Sequence, residues 1–148
     1  SLDCGYHTPK VDVRGVVFQE EKALLVKECS DGLWTLPGGW ADVNESPREV
    51  ATREVWEESG FRVTPLRLLA VYDRSKHGHI PYFPFHVYKL YILCELYGGE
   101  ARGSIETSAV DFFGEDELPP LSISRVTEAQ LKRFFYLFRH PELPTDFD

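Results

Sequence analysis

Apolar and polar positions in the first part of the chain predict a run of short strands. Residues 10–18 are rich in β-branched side chains and end in an apolar run, which is typical of a strand. A polar turn at 19–22 joins them to a second apolar segment at 23–28, so the pair predicts a hairpin. After a turn at 29–32, a short strand at 33–37 is expected to end at Pro37-Gly38-Gly39.

The next segment carries the boundary signals of a helix. Ser46 suits the N-cap, Pro47 suits the first helical position, and Glu49 completes a capping box. We expect this helix to run to about Ser59, with Gly60 as its C-terminal stop.

Two longer strands and a second helix are predicted in the rest of the chain. The strand-like segments are 61–73 and 85–96, and the loop between them, 74–84, holds two Pro and one Gly. A short strand at 109–113 follows. The last helix begins near Thr127, which forms a capping box with Gln130, and its apolar face is expected to dock on the core. The polar tail at 141–148 is predicted to be extended.

The order of these elements predicts the fold class. Strands and helices intermix without the regular alternation of a parallel α/β protein. We therefore expect an α/β (α+β) fold in which a mixed β-sheet lies between helices, an α/β/α sandwich. The 148 residues fit a single domain, with residues 1–9 as a lead-in.

Composition and charge narrow the partners and the compartment. The formal net charge of −8 repels polyanions, so nucleic acid is not an expected partner, and a phosphate-bearing substrate needs screening cations. Neither a transmembrane run nor a signal peptide is apparent, and we expect no membrane role. The three cysteines are odd in number and form no CxxC pair, which argues against a zinc cluster and fits a reducing cytoplasm.

Three glutamates of the first predicted helix share one face. Glu54, Glu57 and Glu58 stand at i, i+3 and i+4, so their carboxylates occupy one arc roughly 100° wide. Ala51 and Val55 lie beside the arc and are expected to bury against the sheet.

This arrangement is unfavourable for folding alone. Like charges at i, i+4 repel, and Glu57 and Glu58 stand at the negative end of the helix dipole, where each acid costs about 0.3–1 kcal/mol. A divalent cation reverses the sign of both effects. Oxygen ligands on a rigid face suit Mg²⁺, with Mn²⁺ as the alternative, better than Zn²⁺. The sequence therefore predicts a metal cofactor.

The whole stretch from residue 39 to residue 61 resembles the Nudix box, G-x5-E-x7-R-E-U-x-E-E-x-G-U, in which U is a bulky apolar residue. Every specified position matches, namely Gly39, Glu45, Arg53, Glu54, Val55, Glu57, Glu58, Gly60 and Phe61. The order of strands and helices also fits the α/β/α sandwich of Nudix hydrolases. The resemblance implies one Nudix hydrolase domain over residues 1–148 and hydrolysis of a diphosphate linkage.

The resemblance also implies roles for individual residues. Glu54, Glu57 and Glu58 would ligate the metal, with the carbonyl of Gly38 as a further ligand. Arg53 would orient the glutamates, and spacing places it within reach of both Glu49 and Glu57. Three other residues of the box would have supporting roles. Glu45 would support the loop or a water-bridged metal, Gly39 would permit the tight turn, and Gly60 would permit the C-cap.

The reaction needs a further carboxylate as general base or extra ligand. Glu106 is the candidate, with Glu115 and Glu117 as rivals. A glutamate of the box, such as Glu57 or Glu54, is the alternative, and Glu106 is as readily interpreted as an ordinary surface acid.

The loop after the first helix and its strand is the expected substrate region. Arg74, Lys76 and His77 are basic residues suited to a phosphate, and Tyr82 is suited to stacking on a base. The competing interpretation makes Tyr82, Phe83 and Phe85 core or dimer contacts.

Segments outside the box resemble the ADP-ribose pyrophosphatase subgroup, which includes CDP-choline pyrophosphatases. They are residues 5–14, 73–77, 89–96 and 144–148. The resemblance implies a nucleoside diphosphate linked to another group as substrate, and a homodimer. Members often carry a small helical N-terminal domain, and the absence of Met predicts a chain that lacks its initiator or such a segment. The alternatives are a nucleoside triphosphate pyrophosphohydrolase and a non-catalytic nucleotide-sensing domain, whose box glutamates would typically be eroded.

Overall fold

A computed structural model describes residues 5–148 and forms one mixed sheet with a helix on each face. The elements are β1 (Lys10–Gln19), β2 (Lys22–Glu28), β3 (Trp34–Thr35), β4 (Gly38–Trp40), α1 (Pro47–Ser59), β5 (Phe61–Asp73), a 3₁₀ turn (Arg74–Lys76), β6 (Val87–Gly99), β7 (Thr107–Phe113), α2 (Glu128–Arg139) and β8 (Asp146–Phe147). In these described residues, no helix is long and apolar enough to span a membrane.

The sheet runs in the order β3-β2-β1-β6-β5-β8, with β4 added to β1 and β7 added to β2. β1 pairs with β6 in parallel, whereas β5 and β6 form a long antiparallel pair. The mixed sheet predicted from the sequence is therefore confirmed, and β1 is its central strand.

Each face of the sheet carries its own apolar core. On one face, Val50, Ala51 and Val55 of α1 are fully buried against Val13 and Val17 of β1. On the other face, residues of α2 pack against residues of β1 and β6; they include Leu131, Phe134, Leu137, Val16 and Tyr91. The α/β/α sandwich and the predicted burial of Ala51 and Val55 are confirmed.

Both helices begin as their capping boxes predict. Ser46 Oγ accepts a hydrogen bond from the Glu49 amide at 3.2 Å, and Glu49 Oε1 accepts from the Ser46 amide at 2.9 Å. Thr127 and Gln130 form the equivalent box at α2. Helix α1 ends at Gly60, whose φ of 82° is the left-handed conformation that glycine adopts without strain.

The Pro37-Gly38-Gly39 turn predicted from the sequence is wrong in part, because Gly38–Trp40 forms β4. Val13 pairs with Gly39 and Arg14 pairs with Gly38 across the β1–β4 ladder. A Cβ at Gly38 would overlap the carbonyl oxygen of Val13, so the glycine serves a close strand approach rather than a turn.

Two other predicted boundaries are also corrected. Strand β6 begins at Val87, and residues 85–86 belong to the preceding loop. The tail was predicted only to be extended, but part of it forms a strand, because Asp146 and Phe147 pair in parallel with Ala70 and Val71 of β5.

Candidate active site

Three of the glutamates of α1, namely Glu54, Glu57 and Glu58, lie on one face but differ sharply in exposure. The Glu54 side chain is 12% exposed and that of Glu57 is 55% exposed, whereas Glu58 is buried. Across residues 5–148, no three carboxyl, thiol or imidazole groups are gathered at metal-ligating separation. The carboxylates of the helix therefore lie side by side and do not converge on a single point.

Arg53 connects the glutamates to the loop before the helix. Its Nε and Nη2 donate to the two carboxylate oxygens of Glu45 at 2.7 and 2.8 Å. Its Nη1 donates to Glu54 at 2.8 Å and to Glu57 at 3.3 Å. Glu49 is instead engaged in the capping box. One guanidinium thus fixes three acidic side chains, and its planar donor fork suits that task better than a lysine would.

Glu58 is the site's least satisfied group. Its Oε1 is buried and has no hydrogen-bond partner among the described residues. Burial, together with the neighbouring Glu54 carboxylate, raises the pKa of Glu58 to about 10. A buried acid with an unused oxygen is costly unless something else satisfies it.

These residues fit a divalent cation. The donor set consists of carboxylate oxygens, which hard cations prefer. A cation beside Glu54 and Glu58 would satisfy the free Oε1 and offset the repulsion between the two acids.

Glycines bring the strand β4 close to this face. A Cβ at Gly39 would lie 3.1 Å from Glu54 Oε1, so the bare backbone passes directly against the carboxylate. Gly38 is buried beside it. The glutamate face of α1 therefore adjoins the backbone of β4.

The same strand, β4, lines a cavity of about 680 Å³. Its walls come from β1, β4, β6, the end of β2, the 3₁₀ turn and four loops. The lining residues are Asp12, Arg14, Glu28, Cys29, Ser30, Gly38, Gly39, Trp40, Arg74, Phe83, Val87, Lys89, Ile105, Glu106, Ser124 and Arg125. A volume of this size accommodates a small nucleotide-like molecule.

Three almost fully buried side chains, Asp12, Arg14 and Lys89, form what we call the charged floor of this cavity. Arg14 donates to both oxygens of Asp12 at 3.2 and 3.0 Å, and Lys89 Nζ donates to Asp12 Oδ2 at 2.6 Å. Burial acts to raise the pKa of Asp12, but the charges of Arg14 and Lys89 hold that pKa well below its usual range. Two cations against one carboxylate leave the floor with an excess positive charge.

The charged floor was not predicted from the sequence, although a signal was present. β1 and β6 are largely apolar strands, and charged residues are seldom fully buried without partners. Asp12 and Lys89 are register neighbours on parallel strands, a pairing that emerges only when β1 and β6 are known to be adjacent.

Of the predicted carboxylates outside the box, Glu106 lines the cavity. Ser104 Oγ accepts the Glu106 amide hydrogen at 3.1 Å, which shapes the loop that carries it. Neither Glu115 nor Glu117 lines the cavity, and Glu115 pairs with Arg139 at 2.7 Å.

The predicted substrate residues separate into two groups. Arg74 lines the cavity, where its guanidinium lies 5.4 Å from the ring centre of Phe83. Lys76, His77 and Tyr82 do not line it. His77 binds Asp148 at 2.8 Å, and Tyr82 is 87% exposed.

Aromatic side chains nevertheless reach the cavity from two directions. Trp40 of β4 and Phe83 of the loop have ring centres 6.0 Å apart. Together with Arg74 they provide flat surfaces on which a base can stack. The sequence pattern predicted Tyr82 as a stacking residue of this loop, whereas in the structure Phe83 lines the cavity and Tyr82 does not.

Comparisons with known proteins agree with this geometry. A sequence profile described as the NUDIX domain matches residues 8–134. The chain is 50% identical over 144 residues to the putative ADP-ribose pyrophosphatase YjhB of Bacillus subtilis (strain 168). The aligned region covers 97% of this chain and 69% of that protein.

Two solved structures are similar along almost the whole chain. One is an ADP-ribose pyrophosphatase from Streptococcus suis 89-1591, with a TM-score of 0.87 and 44% identity, covering 95% of this chain and 100% of the other. The second is a UDP-X diphosphatase, with a TM-score of 0.88 and 32% identity, covering 97% of this chain and 69% of the other.

Proposed function

The chain belongs to the NUDIX domain family, and from this premise we propose that it hydrolyses the diphosphate linkage of a nucleoside diphosphate joined to another group. The products are a nucleoside monophosphate and the phosphorylated second group. The observation that carries the proposal is the juxtaposition of an acidic helix face and a basic, aromatic-edged cavity, both of which adjoin β4. Relatives and structural neighbours with pyrophosphatase and diphosphatase names support the same reaction.

A divalent metal is part of this proposal, with Mg²⁺ as the preferred ion and Mn²⁺ as a substitute. Nudix hydrolases generally need such an ion, and the oxygen-only donors with the unpartnered Glu58 Oε1 support one here. Glu54, Glu57 and Glu58 are the proposed ligands, with the Gly38 carbonyl beside them. When bound, the metal neutralises phosphate oxygens and helps to generate the attacking nucleophile.

The chain's own residues then hold and orient the reactants. Arg53 keeps the carboxylates of Glu54 and Glu57 on the face next to β4. Glu106, on the cavity wall, is the proposed general base that accepts the proton of the attacking water at its carboxylate. Trp40 and Phe83 are proposed to bind the base, and Arg74 a phosphate oxygen.

The charge of the cavity favours an ADP-ribose-like over a CDP-choline-like substrate. The lining alternates carboxylates with cations, as in the pairs Asp12–Lys89 and Glu28–Arg125. Sugar hydroxyls both donate and accept hydrogen bonds and therefore suit such pairs. A quaternary ammonium makes no such bonds and would be repelled by the excess positive charge of the charged floor.

A substrate panel tests the proposal. Purified protein would be incubated with Mg²⁺ or Mn²⁺ and ADP-ribose, CDP-choline, a UDP-sugar, NADH, diadenosine polyphosphates or deoxynucleoside triphosphates, and the products separated by chromatography. We expect a nucleoside monophosphate and a sugar phosphate from ADP-ribose, and Glu106→Gln to lose turnover while Glu117→Gln retains it. Pyrophosphate released from triphosphates as the dominant activity would replace the proposal with a triphosphate pyrophosphohydrolase.

We also propose that the protein works as a homodimer in the cytoplasm. Ile80, Tyr82 and Phe85 expose large apolar side chains close together in sequence, which supports a self-association surface. Cysteines that are odd in number and lack CxxC spacing support a reducing compartment. Light scattering after size exclusion should give twice the mass of the chain, and a monomer at micromolar concentration would contradict the dimer.

A further inference from the structure

His79 is buried within an otherwise exposed loop. We call residues 77–86 the aromatic loop; in it Ile80 is 60% exposed and Tyr82 87% exposed, whereas His79 is 8% exposed. A polar ring so deeply inserted needs partners for both nitrogens.

Both ring nitrogens have partners in the segment that leads into α2 or in the first turn of α2. Nδ1 lies 3.1 Å from the Ile123 carbonyl oxygen, and Nε2 lies 2.9 Å from Nε2 of Gln130. The Gln130 Oε1 accepts from Tyr91 Oη at 3.2 Å and from the Thr127 amide at 3.1 Å. The amide nitrogen of Gln130 therefore faces the imidazole.

This network fixes the protonation state of the ring. A carbonyl oxygen only accepts, so Nδ1 must carry the proton that is donated to Ile123. An amide nitrogen only donates, so Nε2 of His79 must accept from Gln130. The contacts are thus satisfied by the neutral Nδ1–H tautomer, and an added proton would place two donors face to face.

The same contacts join two segments that each contribute residues to the cavity lining. The aromatic loop carries Phe83, and the segment that contains Ile123 continues into Ser124 and Arg125, all of which line the cavity. Arg74 reinforces the connection by donating to the Ser124 carbonyl at 3.1 Å and to the Pro81 carbonyl at 2.9 Å.

We infer that His79 is a positioning residue, which latches the aromatic loop to the N-terminal end of α2 and thereby fixes the width of the substrate cavity. Its role is to hold Phe83 and Arg74 where the nucleotide binds, without touching the reacting atoms. The inference rests on the proposed function for its kinetic consequence, whereas the latch itself is independent of turnover.

The latch is sensitive to acid. The titratable groups that act most strongly on His79 are Lys89 of β6, Arg74 of the 3₁₀ turn and His77 of the aromatic loop, and all are basic. Burial, assisted by Lys89, lowers the pKa of His79 to about 4. The ordinary pKa of 6.5 applies when the loop is released, and the pKa of about 4 applies when the ring is docked. Between these two pH values, the released ring takes up a proton and the docked ring does not. Docking is therefore strongest above pH 6.5 and weakens as the pH falls toward 4.

Two variants and one control test the inference. His79→Ala removes the latch, and we expect KM to rise roughly tenfold or more, as for one or two lost hydrogen bonds, with kcat little changed. Hydrogen exchange of residues 77–86 should accelerate in the same variant. His86→Ala is the control, because His86 belongs to the same loop but pairs with Asp73 at the surface.

Gln130→Glu separates positioning from general stability. Glutamate keeps the capping box with Thr127 but turns the group that faces His79 into an acceptor. The protonated ring can then donate to it, so the loop should remain protected from exchange at pH 4.5 in Gln130→Glu and lose protection in the wild type.

The outcomes are distinct. An unchanged exchange rate and KM in His79→Ala, or a lowered melting temperature with unchanged KM, would overturn the inference. Absence of turnover in the wild-type protein would instead contradict the proposed function, and the exchange measurements would still decide whether the latch exists.

Discussion

At the residue scale, Glu57 is the carboxylate whose removal should affect chemistry without affecting folding. It is more exposed than Glu54 and Glu58, and among the described side chains its hydrogen-bond partner is Arg53. We expect Glu57→Gln to lower kcat by several orders of magnitude, about the effect of losing a metal-assisted step. Steady-state kinetics with ADP-ribose would measure this.

Glu49→Gln is the matched control for that prediction. It makes the same change on the same helix, and glutamine preserves the capping box with Ser46. Near-normal turnover is expected for this control. A soluble Glu57→Gln variant that also retained near-normal turnover would refute the assignment of the metal site.

Lys89 should give substrate binding an alkaline limit. Burial lowers the pKa of Lys89 to about 8 against the attraction of Asp12. Because the ordinary value is 10.5, the folded chain loses this proton before the unfolded chain does, so stability from this residue rises between pH 8 and 10.5. In the folded chain, Lys89 loses its proton and the charged floor its excess positive charge around pH 8, so KM should rise above pH 8.

Lys89→Met tests this by removing the titrating group while Asp12 stays paired with Arg14. KM for ADP-ribose should be raised at neutral pH and should no longer change between pH 7 and 9. Parallel pH profiles of KM for the variant and the wild type would argue against a role for the charged floor in binding.

Residue roles were predictable where neighbours in sequence are neighbours in space. Arg53, Glu54 and Glu57 meet through helical spacing, so the box alone placed them on one face. Asp12 and Lys89 meet only through the pairing of distant strands, and no local pattern encodes that pairing. The inward rotation of Phe83 rather than Tyr82 likewise depends on tertiary packing in the aromatic loop.

At the scale of elements, the C-terminus of α1 is stabilised from outside the helix. The last turn contains no basic residue, although Glu57 and Glu58 crowd it. The guanidinium groups of Arg62 and Arg102 lie 3.5 and 4.6 Å from the ring centre of Trp56. Arg102 also donates to the Trp56 carbonyl at 3.2 Å. Strand β5 and the loop after β6 thus provide the cations that the helix lacks.

Removing Arg102 should therefore loosen the helix end. We expect Arg102→Ala to lower the free energy of unfolding by about 1 kcal/mol, as for a charge at a helix terminus with a partly exposed cation–π contact. Urea denaturation would measure it, and Arg102→Lys, which keeps the charge, should recover part of the loss. Equal losses in both variants would attribute the effect to stacking alone.

The helices were easier to predict than the short strands. Their limits are set by local hydrogen bonds, such as those of Ser46 and Thr127, that the sequence encodes directly. β4 and β8 are held by partners far along the chain. β4 is built on glycines that locally resemble a turn, and β8 is a pair of residues added to the edge of β5.

At the scale of the whole molecule, an acidic protein presents a locally basic cavity beside an acidic helix face. The net charge of −8 would repel a diphosphate, whereas the charged floor attracts it and a bound cation would neutralise the glutamates. In the proposed function, substrate binding would depend on the charged floor and metal binding on the glutamates of α1, which are different residues. The stability of the fold should respond to the metal even without substrate.

Added Mg²⁺ or Mn²⁺ should raise the melting temperature, because a ligand that binds only the folded chain stabilises it. At a concentration about 100 times its Kd the gain is about 2.7 kcal/mol, which corresponds to roughly 5–10 °C for a domain of this size. Differential scanning fluorimetry with potassium chloride at matched ionic strength would measure it. Glu58→Gln should be more stable than the wild type in EDTA, because the neutral amide avoids the cost of burying an ionisable carboxyl beside the Glu54 carboxylate, and should lose most of the metal response. An unchanged melting temperature of the wild type at millimolar Mg²⁺ and Mn²⁺ would contradict the metal site.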